Sequence, residues 1–248
     1  HGAQEALNGY DVVYLGDTAN LPYGDKSQEQ IYAYTKAALD YLIAHDCAII
    51  FLFCNTASAR ALRQLQDEGY RTLGIIIPLA EEAHGKRIGV LATQSTVDSG
   101  KYVEEIKKLL PDVEIFQQAA PKLVPLIESG NPINQTYVEL IRSYLSPLLA
   151  KNIDTLILGC THYAIIKNLI REMMPGVAVI SQDEIIGEKI KTYLSRHPEI
   201  EKQLSKNGQR EFLVTKLFDF GDTHHKWLED IRDFDRSLFR LVVLHDRD

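Results

Sequence analysis

Short apolar runs alternate with amphipathic helical patterns along most of the chain. The runs that predict strands are 12–15, 48–53, 73–77, 87–91, 113–116, 155–159, 177–180 and 212–215. The helical patterns cover 27–42, 57–68, 100–110, 136–150, 163–174, 183–194 and 225–236. Strands of four to seven residues separated by helices indicate βαβ units with parallel sheets. The strands fall into two groups, which predicts an α/β fold of two similar domains.

Two of the apolar runs end in a cysteine. The run 48–53 leads into Cys54, and Asn55-Thr56-Ala57-Ser58 follows it. The run 155–159 leads into Cys160, and Thr161-His162-Tyr163 follows. Ligands of open parallel sheets bind beyond the carboxyl ends of the strands, so both thiols are predicted to lie at ligand-binding edges.

The position of each thiol just before a helix predicts a specific chemistry. Free amide groups and the helix dipole at a helix start favour an anion, so we expect thiol pKa values below about 8.5. A thiolate can remove a proton or attack an electrophile. A cysteine in an apolar strand is more often a small buried hydrophobe, and that is our interpretation of Cys47.

Other polar side chains are weaker candidates on their own. His162 alone would be structural, but beside Cys160 and Thr161 it is predicted to handle protons near neutral pH. Glu128 alone would be a solvated carboxylate. The segment Asp222-Thr-His224-His225 is predicted to be a polar loop rather than a metal site, because no second ligand set has matching spacing.

Composition excludes several classes of protein. The 248 residues are 45% hydrophobic, with a net charge of −7 and a pI near 5.6, which argues against a nucleic-acid surface. Apolar runs are far shorter than the roughly 20 residues of a membrane-spanning helix, and no secretory signal is visible. Three cysteines without CxxC pairs predict reduced thiols in a cytosolic protein. Glycine-rich phosphate loops are absent from the sequence.

Four motifs together resemble one known family. In chain order they are Leu15-Gly-Asp-Thr-Ala19 with Pro22-Tyr23-Gly24, Cys54-Asn55-Thr56-Ala-Ser58-Ala, Leu123-Val-Pro-Leu-Ile-Glu128 and Leu158-Gly-Cys160-Thr161-His162-Tyr163. This set closely resembles the cofactor-independent glutamate racemases over roughly residues 10 to 190. The Cys-Thr-His form is similar to glutamate rather than aspartate racemases, which tend to carry Glu in place of that His.

The resemblance implies two three-layer domains, 1–78 with 181–248 and 79–180, and an active site in the cleft between them. It implies that Cys160 deprotonates L-glutamate while Cys54 protonates the opposite face of Cα, with the roles exchanged in reverse. His162 and Glu128 would assist Cys160. The residues implied to hold the substrate are Pro22, Tyr23, Gly24, Asn55, Thr56 and Thr161.

The resemblance also implies no cofactor and no metal. The partners it implies are L- and D-glutamate as substrates and a second copy in a homodimer, with no nucleic acid and no membrane. The expected setting is a bacterial cytoplasm, where D-glutamate supplies peptidoglycan synthesis and so cell-wall biogenesis and cell shape.

One segment of the resembled family has no counterpart in the sequence. That family opens with a strand and Asp-Ser-Gly, whose Asp assists the thiol corresponding to Cys54. The sequence has no starting methionine and begins at what would be the next helix, so we expect the first domain to lack this strand. Asp98-Ser99-Gly100 resembles a different segment, in the second domain.

Two other functions fit parts of the pattern. A Cys-His hydrolase would use Cys160 as a nucleophile and would not need Cys54. A degenerate relative of the racemases would bind an amino acid or a partner protein without catalysis. The sequence therefore leaves an enzyme of a second class and a binding protein as alternatives.

Overall fold

The computed structural model describes residues 2–131, 133–217 and 239–244. The strands are β1 Val12–Gly16, β2 Ile50–Leu52, β3 Thr72–Gly74, β4 Arg87–Ala92, β5 Glu114–Ala119, β6 Thr155–Gly159, β7 Ala178–Ile180, β8 Arg210–Val214 and β9 Phe239–Leu241. The helices are α1 Gly2–Ala6, α2 Gln28–Ala44, α3 Asn55–Arg60, α4 Leu62–Asp67, α5 Ile76–Glu81, α6 Gln94–Asp98, α7 Lys101–Leu109, α8 Leu123–Glu128, α9 Gln135–Leu149, α10 Lys167–Met173, α11 Gln182–Arg196 and α12 Pro198–Glu201. Short 3-10 turns cover Thr18–Asn20, Tyr23–Asp25 and Thr161–Ile166.

The strand pairs between described residues are parallel. Their orders are β1-β8-β9, β2-β3 and β5-β4-β6-β7. The mainly parallel α/β fold predicted from the alternating pattern is therefore confirmed. The domain limits at 78/79 and 180/181 remain a prediction.

Helices cover both faces of the four-stranded sheet, so the sheet and its helices form three layers and the central strands are buried on both sides. Val90 of β4 and Ile157 of β6 face a cluster that includes residues of α5, α7 and α11. Leu91 and Leu158 face the opposite cluster, formed with α8, α9 and α10. Burial on both faces explains why β4 and β6 read as continuous apolar runs.

The remaining strands pack differently. Val13 and Leu15 of β1 share a core with residues of α2, α3, α4 and β2. β1 has no fully buried residue, and Tyr14 is 47% exposed. The sheets that contain β1 and β2 are thus less enclosed than the four-stranded sheet.

Several local predictions need correction. The run 73–77 is not one strand: β3 ends at Gly74 and α5 begins at Ile76. Pro78 is tolerated because the first turn of a helix has no intrahelical acceptor for its N–H groups. The pattern 57–68 is not one helix, because it divides into α3 and α4.

Other local predictions are confirmed or lie outside the structure. The helix predicted at 27–42 is α2, and Ser27 and Gln30 form a capping box that fixes its start. The helix predicted at 225–236 lies outside the described residues. Within the part of the chain that is described, no helix is long and apolar enough to cross a membrane.

Candidate active site

Cys160 lies directly beyond β6, at the carboxyl end of the most buried strand. Each of the five residues of β6 is buried, and Cys160 itself is 7% exposed. The 3-10 turn Thr161–Ile166 then reverses the chain. This turn places His162 Nδ1 3.9 Å from Cys160 Sγ, so the predicted Cys160–His162 pair is formed.

Glu128 completes this group although it is 34 residues away in sequence. It is the last residue of α8, whose Leu123 and Ile127 are buried in the same core cluster as Cys160. Its Oε1 is hydrogen-bonded to His162 Nε2, and the two side chains are only 24% and 16% exposed. The structure thus aligns carboxylate, imidazole and thiol.

This alignment controls the charge of His162. Burial alone would lower the pKa of its imidazole, but hydrogen bonds and charge from Cys160 and Glu128 raise that pKa to about 10. An imidazolium is therefore the dominant form at neutral pH. In this form the Nδ1–H of His162 can donate a hydrogen bond to the Cys160 sulfur.

Cys54 lies beyond β2 in a different environment. It is the N-cap of α3, and its half-buried sulfur accepts a hydrogen bond from the Ala57 N–H at 3.5 Å. The pKa of Cys54 is raised to about 11, mainly by burial and further by the charge of Cys160, although Ala57 and Thr56 lower it. The expectation of a lowered pKa at Cys54 was wrong because desolvation outweighs the amide groups.

A shared neighbour connects the segments of the two thiols: Tyr102 packs against the residue before Cys160 and donates a hydrogen bond to the residue after Cys54. The two thiols come from different sheets, β2-β3 and β5-β4-β6-β7. Cavities of about 420 Å³ and 530 Å³ occur among the described residues, and neither thiol belongs to the lining of either one. Gly24 lines the smaller one.

The Pro22-Tyr23-Gly24 motif lies on the Cys54 side. Pro22 follows a cis peptide bond and precedes the turn Tyr23–Asp25. The Tyr23 hydroxyl donates to Asp17 Oδ2 at 2.6 Å, and burial, followed by Asp17 and then Cys54, raises the pKa of this phenol. Gly24 packs against Thr93, where an added Cβ would lie 2.8 Å from the Thr93 Cβ.

The remaining predicted binding residues are partly committed to other contacts. Thr56 Oγ1 lies 2.9 Å from Thr93 Oγ1 and 3.3 Å from Thr96 Oγ1. Asn55 is buried and is bonded to two other side chains: its Nδ2 donates to Gln182 Oε1 at 2.8 Å and its Oδ1 accepts from Tyr102 at 2.5 Å. Thr161 Oγ1 is 3.4 Å from His162 Nδ1.

Sequence reasoning missed several residues of this site. They are Asp17, Thr93, Thr96, Tyr102 and Gln182. Asp17 and Thr93 directly follow β1 and β4, so the strand-end argument that identified the thiols applies to them as well. Gln182 begins α11 two residues after β7, so the same argument applies to it, whereas Thr96 and Tyr102 had no comparable signal.

Among the residues with described positions, no group of three or more His, Cys, Asp or Glu side chains is arranged to hold a metal ion. Asp222, His224 and His225, predicted to form a polar loop, lie outside the described residues.

The chain is similar to known proteins in both its sequence and its fold. Residues 2–185 match the Asp/Glu/Hydantoin racemase family. The glutamate racemase of Sulfurihydrogenibium sp. is 37% identical over 211 residues, which cover 83% of this chain and 78% of that protein. The glutamate racemase of Aquifex aeolicus is 39% identical over 196 residues, covering 77% and 76%.

Solved structures agree. The glutamate racemase of Francisella tularensis, crystallised with D-glutamate, is similar with a TM-score of 0.85 and 27% identity, covering 99% of this chain and 93% of that one. The glutamate racemase of Thermus thermophilus, in complex with β-chloro-D-alanine, has a TM-score of 0.78 and 30% identity, covering 98% and 91%.

Proposed function

The chain belongs to the Asp/Glu/Hydantoin racemase family, and we propose that it interconverts L- and D-glutamate by proton transfer between the substrate Cα and two thiols. The observation that carries this proposal is the placement of Cys54 and Cys160 at the ends of strands in separate sheets, with Tyr102 in contact with both of their segments. Inversion at carbon requires one group on each face of Cα. Two thiols from opposite sides supply that pair.

In the direction from L- to D-glutamate, the Cys160 thiolate takes the proton from Cα and becomes a thiol. The electron pair of the broken C–H bond stays on the substrate as a carbanion. The Cys54 thiol then donates its proton to the opposite face of Cα and becomes a thiolate. The reverse direction exchanges the two roles, and proton exchange with water restores the starting form of the enzyme.

The protonation states of the site support this assignment. Cys54, with its pKa raised to about 11, is a thiol at neutral pH and is suited to donate. Cys160 is paired with the His162 imidazolium, which Glu128 stabilises. In this scheme His162 and Glu128 keep Cys160 ready to accept a proton.

Substrate binding is proposed for Pro22, Tyr23, Gly24, Asn55, Thr56 and Thr161. Tyr23, Asn55 and Thr56 surround Cys54, and Thr161 follows Cys160. Because the Tyr23 hydroxyl is bonded to Asp17, the contribution of Tyr23 is expected to come from its backbone. The D-glutamate in the Francisella tularensis structure supports a dicarboxylic amino acid as the ligand.

We extend the proposal to the biological setting. The enzyme would act without a cofactor, in a bacterial cytoplasm and as a homodimer, and would supply D-glutamate for peptidoglycan. Its two domains would be 1–78 with 181–248 and 79–180. These points are expectations that we attach to membership of the racemase family.

The aligned Glu128, His162 and Cys160 would also suit a Cys-His hydrolase. The position of Cys54 favours the racemase, because a hydrolase nucleophile needs no second thiol facing it. The variant Cys54→Ala distinguishes the two functions. A hydrolase would still form a trapped adduct at Cys160 in this variant, whereas a racemase would lose its activity.

Circular dichroism of L-glutamate incubated with the protein tests the proposed activity directly. We expect the ellipticity to decay to zero as the racemic mixture forms. The experiment should cover pH values from about 6 to 9, the range near the titration of thiol and imidazole. Unchanged ellipticity across this range would exclude the proposed activity for this chain.

A further inference from the structure

Tyr102 is a buried residue that contacts the segments of both thiols. It lies on α7 and has no exposed surface. Its ring edge packs over Gly159, the residue before Cys160, where an added Cβ would lie 3.0 Å from Tyr102 Cε2. Its hydroxyl donates to Oδ1 of Asn55, the residue after Cys54, at 2.5 Å.

A second side chain extends this link to the other side of Cys54. Asn55 Nδ2 donates to Gln182 Oε1 at 2.8 Å, and Gln182 Nε2 reaches the carbonyl oxygen of Phe53 at 3.5 Å. Phe53 and Asn55 are the two neighbours of Cys54 in sequence. The Tyr102–Asn55–Gln182 network therefore holds the backbone on both sides of that thiol.

This network is rigid because it is enclosed. Asn55 is 2% exposed and Gln182 is 8% exposed, so water does not readily replace their hydrogen bonds. On the opposite side, Gly159 has no room for a side chain. A Cβ added there would lie 3.0 Å from the Tyr102 ring and 3.0 Å from the Ala92 Cβ. A shift of Tyr102 would move one thiol segment relative to the other.

We propose that Tyr102 is a positioning residue that sets the separation of the two thiols, with its ring placed against the Cys160 segment and its hydroxyl bonded to the Cys54 segment. The proposal rests on the two-thiol racemase function. Tyr102 differs from an ordinary core tyrosine because it contacts the segments of both thiols, so a change in the packing of α7 alters the position of both. The nearness of Tyr102 to the site also appears in its pKa, which burial raises and the charge of Cys160 raises further.

Tyr102→Phe tests the hydroxyl while keeping the ring. The substitution leaves Asn55 Oδ1 buried without its donor, so the Cys54 segment is expected to shift to find another one. A misplacement of about 1 Å can cost about 100-fold in rate, so we expect kcat to fall roughly 10- to 100-fold while KM changes less than about threefold. Gly159→Ala pushes on the ring from the Cys160 side and should give the same pattern.

Thiol cross-linking measures the separation without turnover. In a Cys47→Ser background, dibromobimane should bridge Cys54 and Cys160, and mass spectrometry of the digest gives the yield with time. We expect bridging in Tyr102→Phe and Gly159→Ala to be at least about 10-fold slower than in the parent, in line with the loss of rate. Tyr137→Phe removes the hydroxyl of a buried tyrosine on α9 and serves as the matched control.

The outcomes separate this proposal from the proposed function. Unchanged cross-linking in Tyr102→Phe and Gly159→Ala, or an equal loss in Tyr137→Phe, would overturn the positioning role whatever the activity. A parent that fails to cross-link would overturn it as well. A parent that cross-links but does not racemise glutamate would contradict only the proposed function, and the cross-linking rates of the variants would still decide the role of Tyr102.

Discussion

The Cys54 and Cys160 segments share a local plan: an apolar strand is followed by a cysteine and then by a helix or a 3-10 turn. Their surroundings differ. β6 is central in a four-stranded sheet and fully buried, whereas β2 has three residues in a two-stranded sheet. Cys160 has His162 and Glu128 beside it. The contacts of the Cys54 sulfur come from uncharged groups, the Ala57 N–H and Thr56.

This difference shows that the local plan positions a thiol but does not determine which groups surround it. The His162 imidazolium lies beside Cys160, whereas burial raises the pKa of Cys54 to about 11. In the proposed mechanism, one similar motif therefore provides the proton acceptor for L-glutamate in one half and the proton donor in the other. The following predictions test this division, from the largest expected effect to the smallest.

Removal of either thiol should have the largest effect. We expect Cys54→Ala and Cys160→Ala each to lower the racemisation rate by about 10²- to 10⁴-fold, the usual contribution of a positioned acid or base. The two variants should differ in deuterium exchange at Cα in D₂O. Cys54→Ala keeps Cys160 and should still exchange the Cα hydrogen of L-glutamate. Cys160→Ala keeps Cys54 and should still exchange the Cα hydrogen of D-glutamate.

Cys47→Ser is the matched control for both variants, because Cys47 is half-buried and takes no part in the proposed chemistry. Its activity should equal that of the parent. Full racemisation in either Cys54→Ala or Cys160→Ala would contradict the two-thiol scheme.

Truncation of one leucine in each strand compares how firmly the two thiols are supported. Leu158 of β6 is fully buried, so Leu158→Ala should lower the free energy of unfolding by about 2 to 5 kcal/mol. Leu52 of β2 is half-buried, and Leu52→Ala should cost about 1 to 2 kcal/mol because less apolar area returns to water. Urea denaturation of both variants measures the difference, and a larger loss for Leu52→Ala would reverse the comparison.

Glu128→Gln should alter the pH dependence on the Cys160 side. In the parent, the raised pKa of His162 keeps the imidazolium present at neutral pH and loses it only as the pH passes about 10. Without the carboxylate this pKa should fall toward 6.5, so the alkaline limb of kcat/KM should move down by about one unit or more. An alkaline limb that stays in place would show that Glu128 does not control the charge of His162.

An internal check accompanies this pH profile. L- and D-glutamate have equal free energies in water, so kcat/KM must be the same in both directions at each pH. Differences between the two thiols therefore appear in kcat and KM separately.

The smallest effect is expected from Thr93→Val on the Cys54 side. The substitution removes the hydroxyl that contacts both Thr56 and Thr96. Because those two hydroxyls still contact each other, the expected cost is about 0.5 to 1.5 kcal/mol, the net contribution of a typical hydrogen bond. We expect KM to rise because Thr56 loses a fixed partner, with kcat little changed. Thr35→Val removes a buried hydroxyl of α2 that donates to the Ile31 carbonyl and should affect stability alone. An equal rise in KM in both variants would rule out a specific role for Thr93.

Much of the fold could be predicted because its cause is local. Continuous apolar runs such as 87–91 and 155–159 mark strands buried on both faces, and Ser27 with Gln30 marks the start of α2. Sequence could not indicate that β2 would be only Ile50–Leu52, because strand length depends on the neighbouring strand. Nor could it place β1 and β2 in separate sheets.

The candidate site was predictable only in part. The thiols and His162 lie at strand ends, and Glu128 came from the resemblance to the racemases. Asn55, Tyr102 and Gln182 meet across 47 and 127 residues, and no local pattern encodes such a contact. The pKa of Cys54 was predicted in the wrong direction because burial, a tertiary property, outweighs the amide groups at the start of α3.

The central claim is that separate groups act on opposite faces of Cα, and deuterium incorporation in D₂O tests it most directly. Starting from L-glutamate, early D-glutamate should carry one deuteron at Cα, while the remaining L-glutamate keeps its hydrogen. Starting from D-glutamate, the mirror pattern should appear. Equal early labelling of substrate and product in both directions would mean that one group serves both faces, and it would contradict the two-thiol account.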